Sequence, residues 1–190
     1  AIGLWHYENE PRVEHWQAEH FPYHGAYCGD VDLTGWRKPI SHYRDMLWNV
    51  EEGAADVYLA IREPDYYFNG HVTETLWSVW PTWESWNWRG WEGKDIEAEI
   101  YTKAPKVRLY LNNKLIAERD VNIDTQYKAV IKLPYQPGTL KAVSVDANGK
   151  EMAESTLRTS SEPATIRLTP DRKLINADGQ DLAFIMVDVV

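Results

Sequence analysis

The chain has 190 residues, 44% of them hydrophobic, and a net charge of −9. That apolar content supports a packed core and excludes a disordered tract, and the length suits one or two domains. The acidic balance excludes a nucleic-acid partner, which needs clustered Lys and Arg, and no apolar run nears the roughly 20 residues of a membrane span.

Residues 1–37 carry no sustained periodicity. Pro11, Pro22, Gly25, Gly29 and Gly35 punctuate them, so they read as a long ordered loop with a short helical piece around Arg12 to His20. The opening Ala1-Ile2-Gly3-Leu4-Trp5 lacks the basic start and long apolar stretch of a signal peptide. The single cysteine, Cys28, has no internal disulfide partner and reads as a small buried thiol. Residues 38–49 read as a helix. Pro39 suits the first helical position, Ile40, Tyr43, Met46 and Leu47 follow at helical spacing, and Asn49 and Gly53 can end it.

From about residue 55 the period switches to two. Val57, Leu59 and Ile61 alternate until Pro64, and Leu76 to Trp80 is a second candidate strand. Ile96, Ala98 and Ile100 share one face, opposite Glu97, Glu99 and Tyr101. Val107, Leu109 and Leu111 repeat the pattern, and Asn112-Asn113 joins them to Leu115-Ile116-Ala117 by a two-residue hairpin. Tyr127 to Leu133 and Leu140 to Val145 alternate again, and Asn148-Gly149 turns the chain into a returning strand over Met152 to Leu157. About seven short strands at this spacing predict a mainly β protein, an antiparallel immunoglobulin-like β-sandwich. Ser160 to Pro163 reads as a linker. Ile166 and Leu168, a turn at Asp178-Gly179, and Leu182 to Val190 then read as further strands. An apolar strand left unpaired is a pairing liability, so this last run is expected to pair with a neighbouring element or a second copy of the chain.

The chemistry-bearing candidates each have a plain alternative. Asn9-Glu10-Pro11 resembles an acid/base dipeptide, but retaining glycosidases need a second carboxylate about 5 Å away, and no strand precedes it. Solvated loop carboxylates are the reading, and no catalytic residue is assigned. His15, His20 and His24 lie near Asp30 and Asp32, but Pro22 disfavours a helix joining His20 to His24. The closing Glu of a calcium loop would fall at Ser41, so no metal site is assigned. The sequence has no Gly-rich phosphate loop or nucleophile elbow, and no cofactor is expected.

Ten tryptophans stand in the chain, six of them between Trp77 and Trp91. Such a cluster either builds a buried junction or offers a sugar-stacking platform, with Trp83, Trp86 and Trp88 as the contacts. A buried junction would also give the helix at 38–49 its apolar partner.

The run Gly29-Asp30-Val31-Asp32-Leu33-Thr34-Gly35-Trp36-Arg37-Lys38-Pro39-Ile40-Ser41-His42-Tyr43-Arg44 resembles the last barrel loop and helix of β-galactosidase-like enzymes of glycoside hydrolase family 2. Pro81 to Trp88, Gly93-Lys94-Asp95-Ile96, Ile100-Tyr101-Thr102 and Val107 to Lys114 resemble the sandwich that follows that barrel. The resemblance implies three regions. Residues 1–50 are a loop-plus-helix remnant of a (β/α)₈ barrel, 51–160 the immunoglobulin-like sandwich, and 161–190 the first strands of a further, truncated sandwich. It implies a parent that hydrolyses β-glycosides with retention, whose two catalytic Glu lie upstream of Ala1, and a non-catalytic accessory role for this region, packed on its own barrel. Trp5, His6 and Trp16 would help shape the substrate pocket of the intact enzyme. A bacterial parent would be periplasmic or secreted. The alternative is a stand-alone carbohydrate-binding module.

Overall fold

The computed structural model describes residues 29–31, 35–48, 56–68, 71–72, 80–162 and 165–190. Trp5, His6, Trp16, Cys28, the Asn-Glu-Pro motif and the upstream histidines lie outside these residues. The chain divides into two compact units, residues 1–159 and 160–190.

Among the described residues the first unit holds helix α1, Pro39–Trp48, followed by eight strands. These are β1 (Val57–Arg62), β2 (Thr82–Trp83), β3 (Asp95–Thr102), β4 (Lys106–Leu111), β5 (Lys114–Asp120), β6 (Lys128–Pro134), β7 (Thr139–Val145) and β8 (Glu151–Arg158). They form two four-stranded antiparallel sheets, ordered β2-β1-β3-β6 and β5-β4-β7-β8. The chain crosses between the sheets after β3, after β5 and again after β6. This is the Greek-key wiring of an immunoglobulin-like sandwich, as the strand spacing predicts.

Alternation builds the core. Leu59, Ile61, Ile96, Ala98 and Ile100 point inward from the first sheet and meet Val107, Leu109, Leu140 and Ala142 of the second in one buried cluster. Contacts on this inner face exclude water from both sheets and supply most of the stabilisation. Leu109→Ala should lower unfolding free energy by about 2–5 kcal/mol, read from the urea midpoint.

The first sheet departs from simple alternation. Leu59, Ala60 and Ile61 are all buried, as are Glu99 and Tyr101, which the pattern places on the polar face. The cause is α1, which packs across the outside of β1 and β3. A sheet covered on both faces loses its period-two signature. The candidate strand over Leu76 to Trp80 lies outside the described residues except for Trp80, which is not in a strand. A short edge strand stands at Thr82–Trp83.

The β4–β5 hairpin turns as expected on Asn112 and Asn113, at φ 51° and 66°. Both residues thus adopt the left-handed conformation of a type I′ turn, which Asn tolerates. The Asn112 side chain then reaches across. Its Oδ1 accepts the Thr139 N–H at 2.9 Å and its Nδ2 donates to the Pro137 carbonyl at 3.3 Å. This contact leaves room only for glycine at position 138, where an added Cβ would fall 1.9 Å from Asn112 Oδ1 and φ is +136°. Gly138→Ala should therefore destabilise by more than about 1 kcal/mol, whereas Asn113→Gly in the same hairpin should be neutral or mildly stabilising. Urea unfolding of the two variants checks the contrast.

The second unit is a hairpin of β9 (Ile166–Pro170) and β10 (Ile185–Val189), paired antiparallel from Val189↔Ile166 to Ile185↔Pro170. The terminal apolar run therefore pairs with a strand of its own chain. It starts at Ile185 rather than Leu182, because Asp178 organises the preceding turn by accepting the N–H groups of Gln180 and Asp181, both at 2.9 Å.

Candidate functional site

Two places bring together the residues singled out by the sequence: the junction of α1 with the first sheet, and the tryptophan segment.

The junction starts with the motif before the helix. Val31 bridges Arg37, Gly35 turns between them at φ 90°, and the Lys38 N–H donates to the Asp30 carbonyl at 2.9 Å. Asp30 pairs with Arg44, and Arg37 donates to Ser41 Oγ at 2.9 Å and to Asp45. Asp30 and Arg37 thus grip the helix the loop leads into, which fixes the helix rotation.

That rotation aims His42 and Tyr43 at the sheet. His42 stacks on Tyr58 with ring centroids 4.3 Å apart and planes 10° from parallel. Tyr43 meets Tyr101 at 4.9 Å. Tyr58 and Tyr101 are direct cross-strand partners on β1 and β3, stacked at 5.9 Å. The result is four rings in contact, an arrangement that adds stacking energy to area burial.

Polar groups frame the rings. Lys128 Nζ lies 4.3 Å from the Tyr43 centroid, a cation–π contact, and 3.7 Å from Glu99. Arg62 donates to Glu99 at 2.5 Å, so this carboxylate, only 4% exposed, has two basic partners. The Tyr43 hydroxyl donates to the Gln126 carbonyl at 2.7 Å. Gln126 and Tyr127 are consecutive non-glycine residues at φ 56° and 57°, held by the Tyr127 N–H donating to the Asn122 carbonyl at 2.8 Å. Beside the rings lies a cleft of about 630 Å³, open to solvent, between α1, the start of β1 and β8.

The electrostatics follow from this packing. Burial, reinforced by Glu84, pushes the Tyr58 hydroxyl well above its ordinary value, and burial with Glu99 does the same for Tyr101. Burial and the nearby Arg37 pull His42 below its ordinary value of 6.5, against the opposing pull of Glu84 and Asp45. A histidine with a lowered folded pKa binds fewer protons folded than unfolded as pH falls past 6.5, so protonation favours the unfolded state there. The tyrosines act at the other end: their contribution is present below pH 10 and is lost as pH rises through their raised folded values. Unfolding free energy should therefore drop below about pH 6.5, and His42→Phe should flatten part of that drop, measured by urea titration across pH.

The tryptophan segment is anchored through its indole N–H groups. Trp80 donates to the Glu63 carbonyl at 2.9 Å, Trp83 to Glu63 Oε2 at 3.0 Å, and Trp86 to the Gln136 carbonyl at 3.0 Å. Trp88 donates to the Ser85 carbonyl at 3.1 Å and Trp91 to that of Asp95 at 2.9 Å. Trp86 and Trp88 are core residues. Trp86 meets the edge of Tyr135 at 4.8 Å and Trp88 that of Tyr67 at 4.9 Å. The Tyr135 hydroxyl ties them, donating to the Trp86 carbonyl and accepting the Trp88 N–H, both at 3.2 Å.

The tryptophans thus build the buried junction at 86 and 88, and of the alternative contacts Trp83, Trp86 and Trp88 only Trp83 is exposed, at 44%, with Phe68 edge-on at 5.9 Å. The reason is energetic: buried indoles at 86 and 88 close the end of the sandwich core. The signal was present in the sequence, since Trp86 and Trp88 alternate with Asn87 and Arg89 as strand-like inward positions do. Trp86 and Trp88 lie in the sandwich core, while α1 packs on Tyr58 and Tyr101 and also touches β2, where Trp83 lies. Those tyrosines, with Glu99 and Lys128, escaped the sequence reading because they occupy the face assigned to solvent. Trp77 lies outside the described residues.

Comparison with known proteins matches this geometry. Residues 93–153 fit the domain of unknown function DUF4982. A curated relative, Beta-galactosidase BoGH2A of Bacteroides ovatus, is 31% identical over 97% of the chain, which covers 18% of that protein. A solved glycosyl hydrolase family 2 member from Bacteroides cellulosilyticus superposes with a TM-score of 0.77 at 32% identity, covering 90% of this chain and 22% of that one. A β-glycosidase from Bacteroides vulgatus shares the fold at 21% identity and TM-score 0.61, over 89% of this chain and 18% of that one. The chain spans less than a quarter of the length of these relatives. By sequence over nearly its whole length and by architecture, it is homologous to a part of the glycoside hydrolase family 2 proteins.

Proposed function

We propose that the chain is a non-catalytic accessory region of a β-galactosidase-like retaining glycoside hydrolase, in which the sandwich supports the catalytic barrel. The observation that carries this reading is the match of nearly the whole chain to less than a fifth of a β-galactosidase. The site chemistry agrees with it. Retaining hydrolysis needs two carboxylates about 5 Å apart, one of them free to attack. The buried carboxylates among the described residues are engaged structurally: Glu63 accepts from Trp83, and Glu99 is paired with Arg62 and Lys128. On this reading α1 is the last barrel helix, and its stacked rings weld the barrel to the sandwich.

The pure chain should show no turnover of a chromogenic β-galactoside, while the full-length parent should hydrolyse it; specific activity from the chain alone would overturn the accessory role. A carbohydrate-binding role for the sandwich draws on one observation, the exposed Trp83 ring held in place by Glu63. Calorimetry against galactosides with Trp83→Ala as comparison reads that role directly.

A further inference from the structure

The β7–β8 turn joins an asparagine to a glycine in open solvent. Residues 147–150 are all exposed, and Gly149 sits at φ +84° with no atom within 4 Å of where a Cβ would stand. The Gly149 N–H closes the turn on the Asp146 carbonyl at 3.1 Å. Asp146 Oδ1 accepts the N–H groups of Asn148 and Lys150, both at 2.8 Å. Among the described residues nothing hydrogen-bonds the Asn148 side-chain amide. We propose that Asn148 is a self-modification site, which loses ammonia to water through a cyclic imide, and that Asp146 sets how slowly it does so.

The step balances without an enzyme or an oxidant. The Gly149 backbone nitrogen gives up its proton to hydroxide and attacks Asn148 Cγ. The new N–Cγ bond closes an imide ring and the Cγ–Nδ2 bond breaks. Nδ2 leaves as ammonia with a proton from water, which regenerates hydroxide. One water then opens the imide. Cleavage at Cγ leaves an aspartate, and cleavage at the backbone carbonyl leaves an isoaspartate, whose main chain is one carbon longer.

Glycine is what lets the attack proceed, because no side chain flanks the incoming nitrogen. The other described asparagines lack this combination. Both polar side-chain atoms of Asn112 are engaged, by Thr139 and Pro137. Asn122 Oδ1 accepts the N–H groups of Asp124 and Thr125, and the branched Ile123 follows it. Asn87 precedes Trp88, whose N–H is buried against the Tyr135 hydroxyl. Asn113 and Asn176 precede Lys114 and Ala177, whose Cβ atoms crowd the nitrogen that would attack.

Asp146 is a positioning residue. Attack requires the Gly149 nitrogen to leave the Asp146 carbonyl and turn towards Asn148 Cγ. The two bonds to Oδ1 hold the flanking N–H groups against that motion. The isoaspartate product lengthens the loop that the Asp146 N–H closes on the Lys150 carbonyl at 2.9 Å, so amides at the start of β8 should exchange faster after modification.

The 190-residue chain is incubated folded in mildly alkaline buffer and read by peptide mapping. Mapping separates Asn148 from Asn69, the other Asn-Gly pair, which lies outside the described residues. Among the described asparagines, ammonia loss should concentrate at Asn148, with isoaspartate among the products and a rate that rises with pH. Gly149→Ala should slow the loss by at least about tenfold. Asp146→Ala should speed it several-fold, and Asp146→Ser, whose hydroxyl accepts more weakly than a carboxylate, should fall between. In urea the two Asp146 variants and the unaltered chain should converge, because the restraint exists only in the folded turn. An Asn148 that stays intact in the folded chain overturns the site, as does Gly149→Ala reacting at the unaltered rate. Asp146→Ala reacting no faster than the unaltered chain, or a difference that persists in urea, overturns the role of Asp146.

Discussion

The structure depends on one constraint: the first sheet of the sandwich is buried on both faces along β1 and β3. Its inner face is ordinary, with aliphatic side chains meeting those of the second sheet. Its outer face carries Tyr58, Arg62, Glu99 and Tyr101, which an unassisted sheet would leave in water. Helix α1 covers the two tyrosines, and rings are the side chains that make this workable. An aromatic ring removes a large apolar area from solvent while its polar tip still finds a partner. Tyr58 reaches Glu84 and Tyr43 reaches Gln126. Glu99 shows the other side of the same constraint. A buried carboxylate is destabilising unless it is paired, and both Arg62 and Lys128 are held against it by the same packing.

The tryptophans serve a different part of the molecule. Trp86 and Trp88 stopper the end of the sandwich, bracketed by the Tyr135 hydroxyl, and the Thr159 hydroxyl adds a donor to the Trp86 carbonyl at 2.7 Å. Dense aromatic sequence invites a sugar-binding reading. The hydrogen-bond accounting decides otherwise for these two, because each indole N–H and each ring edge is already engaged within the fold.

Much of the architecture was legible in the sequence. Half-buried strands such as β4 and β6 announce themselves by alternation, and Asn112-Asn113 sets the hairpin to the residue. Helix α1 was legible from Pro39 and its apolar spacing. The junction was not, for a physical reason. Period two encodes which side of a strand faces a core only when one side faces water. Once α1 covers the second side, Glu99 and Tyr101 carry no pattern that separates them from solvent-facing residues. The gripping roles of Asp30 and Arg37 were hidden likewise, since a loop residue's partner is fixed by tertiary geometry and not by spacing. The short strand β2 was missed because two residues cannot show a period.

The consecutive left-handed residues Gln126 and Tyr127 carry a consequence for how such modules are exchanged in evolution. Non-glycine residues hold that conformation only where surrounding contacts over-determine it, and one of those contacts is the Tyr43 hydroxyl from α1. The β5–β6 connection is therefore shaped in part by a helix that lies more than seventy residues earlier in the chain. A recombination event that moved the strands alone would strand this loop without its brace and expose a buried charge. Any transfer of the strands that preserves this loop must carry helix α1 with them.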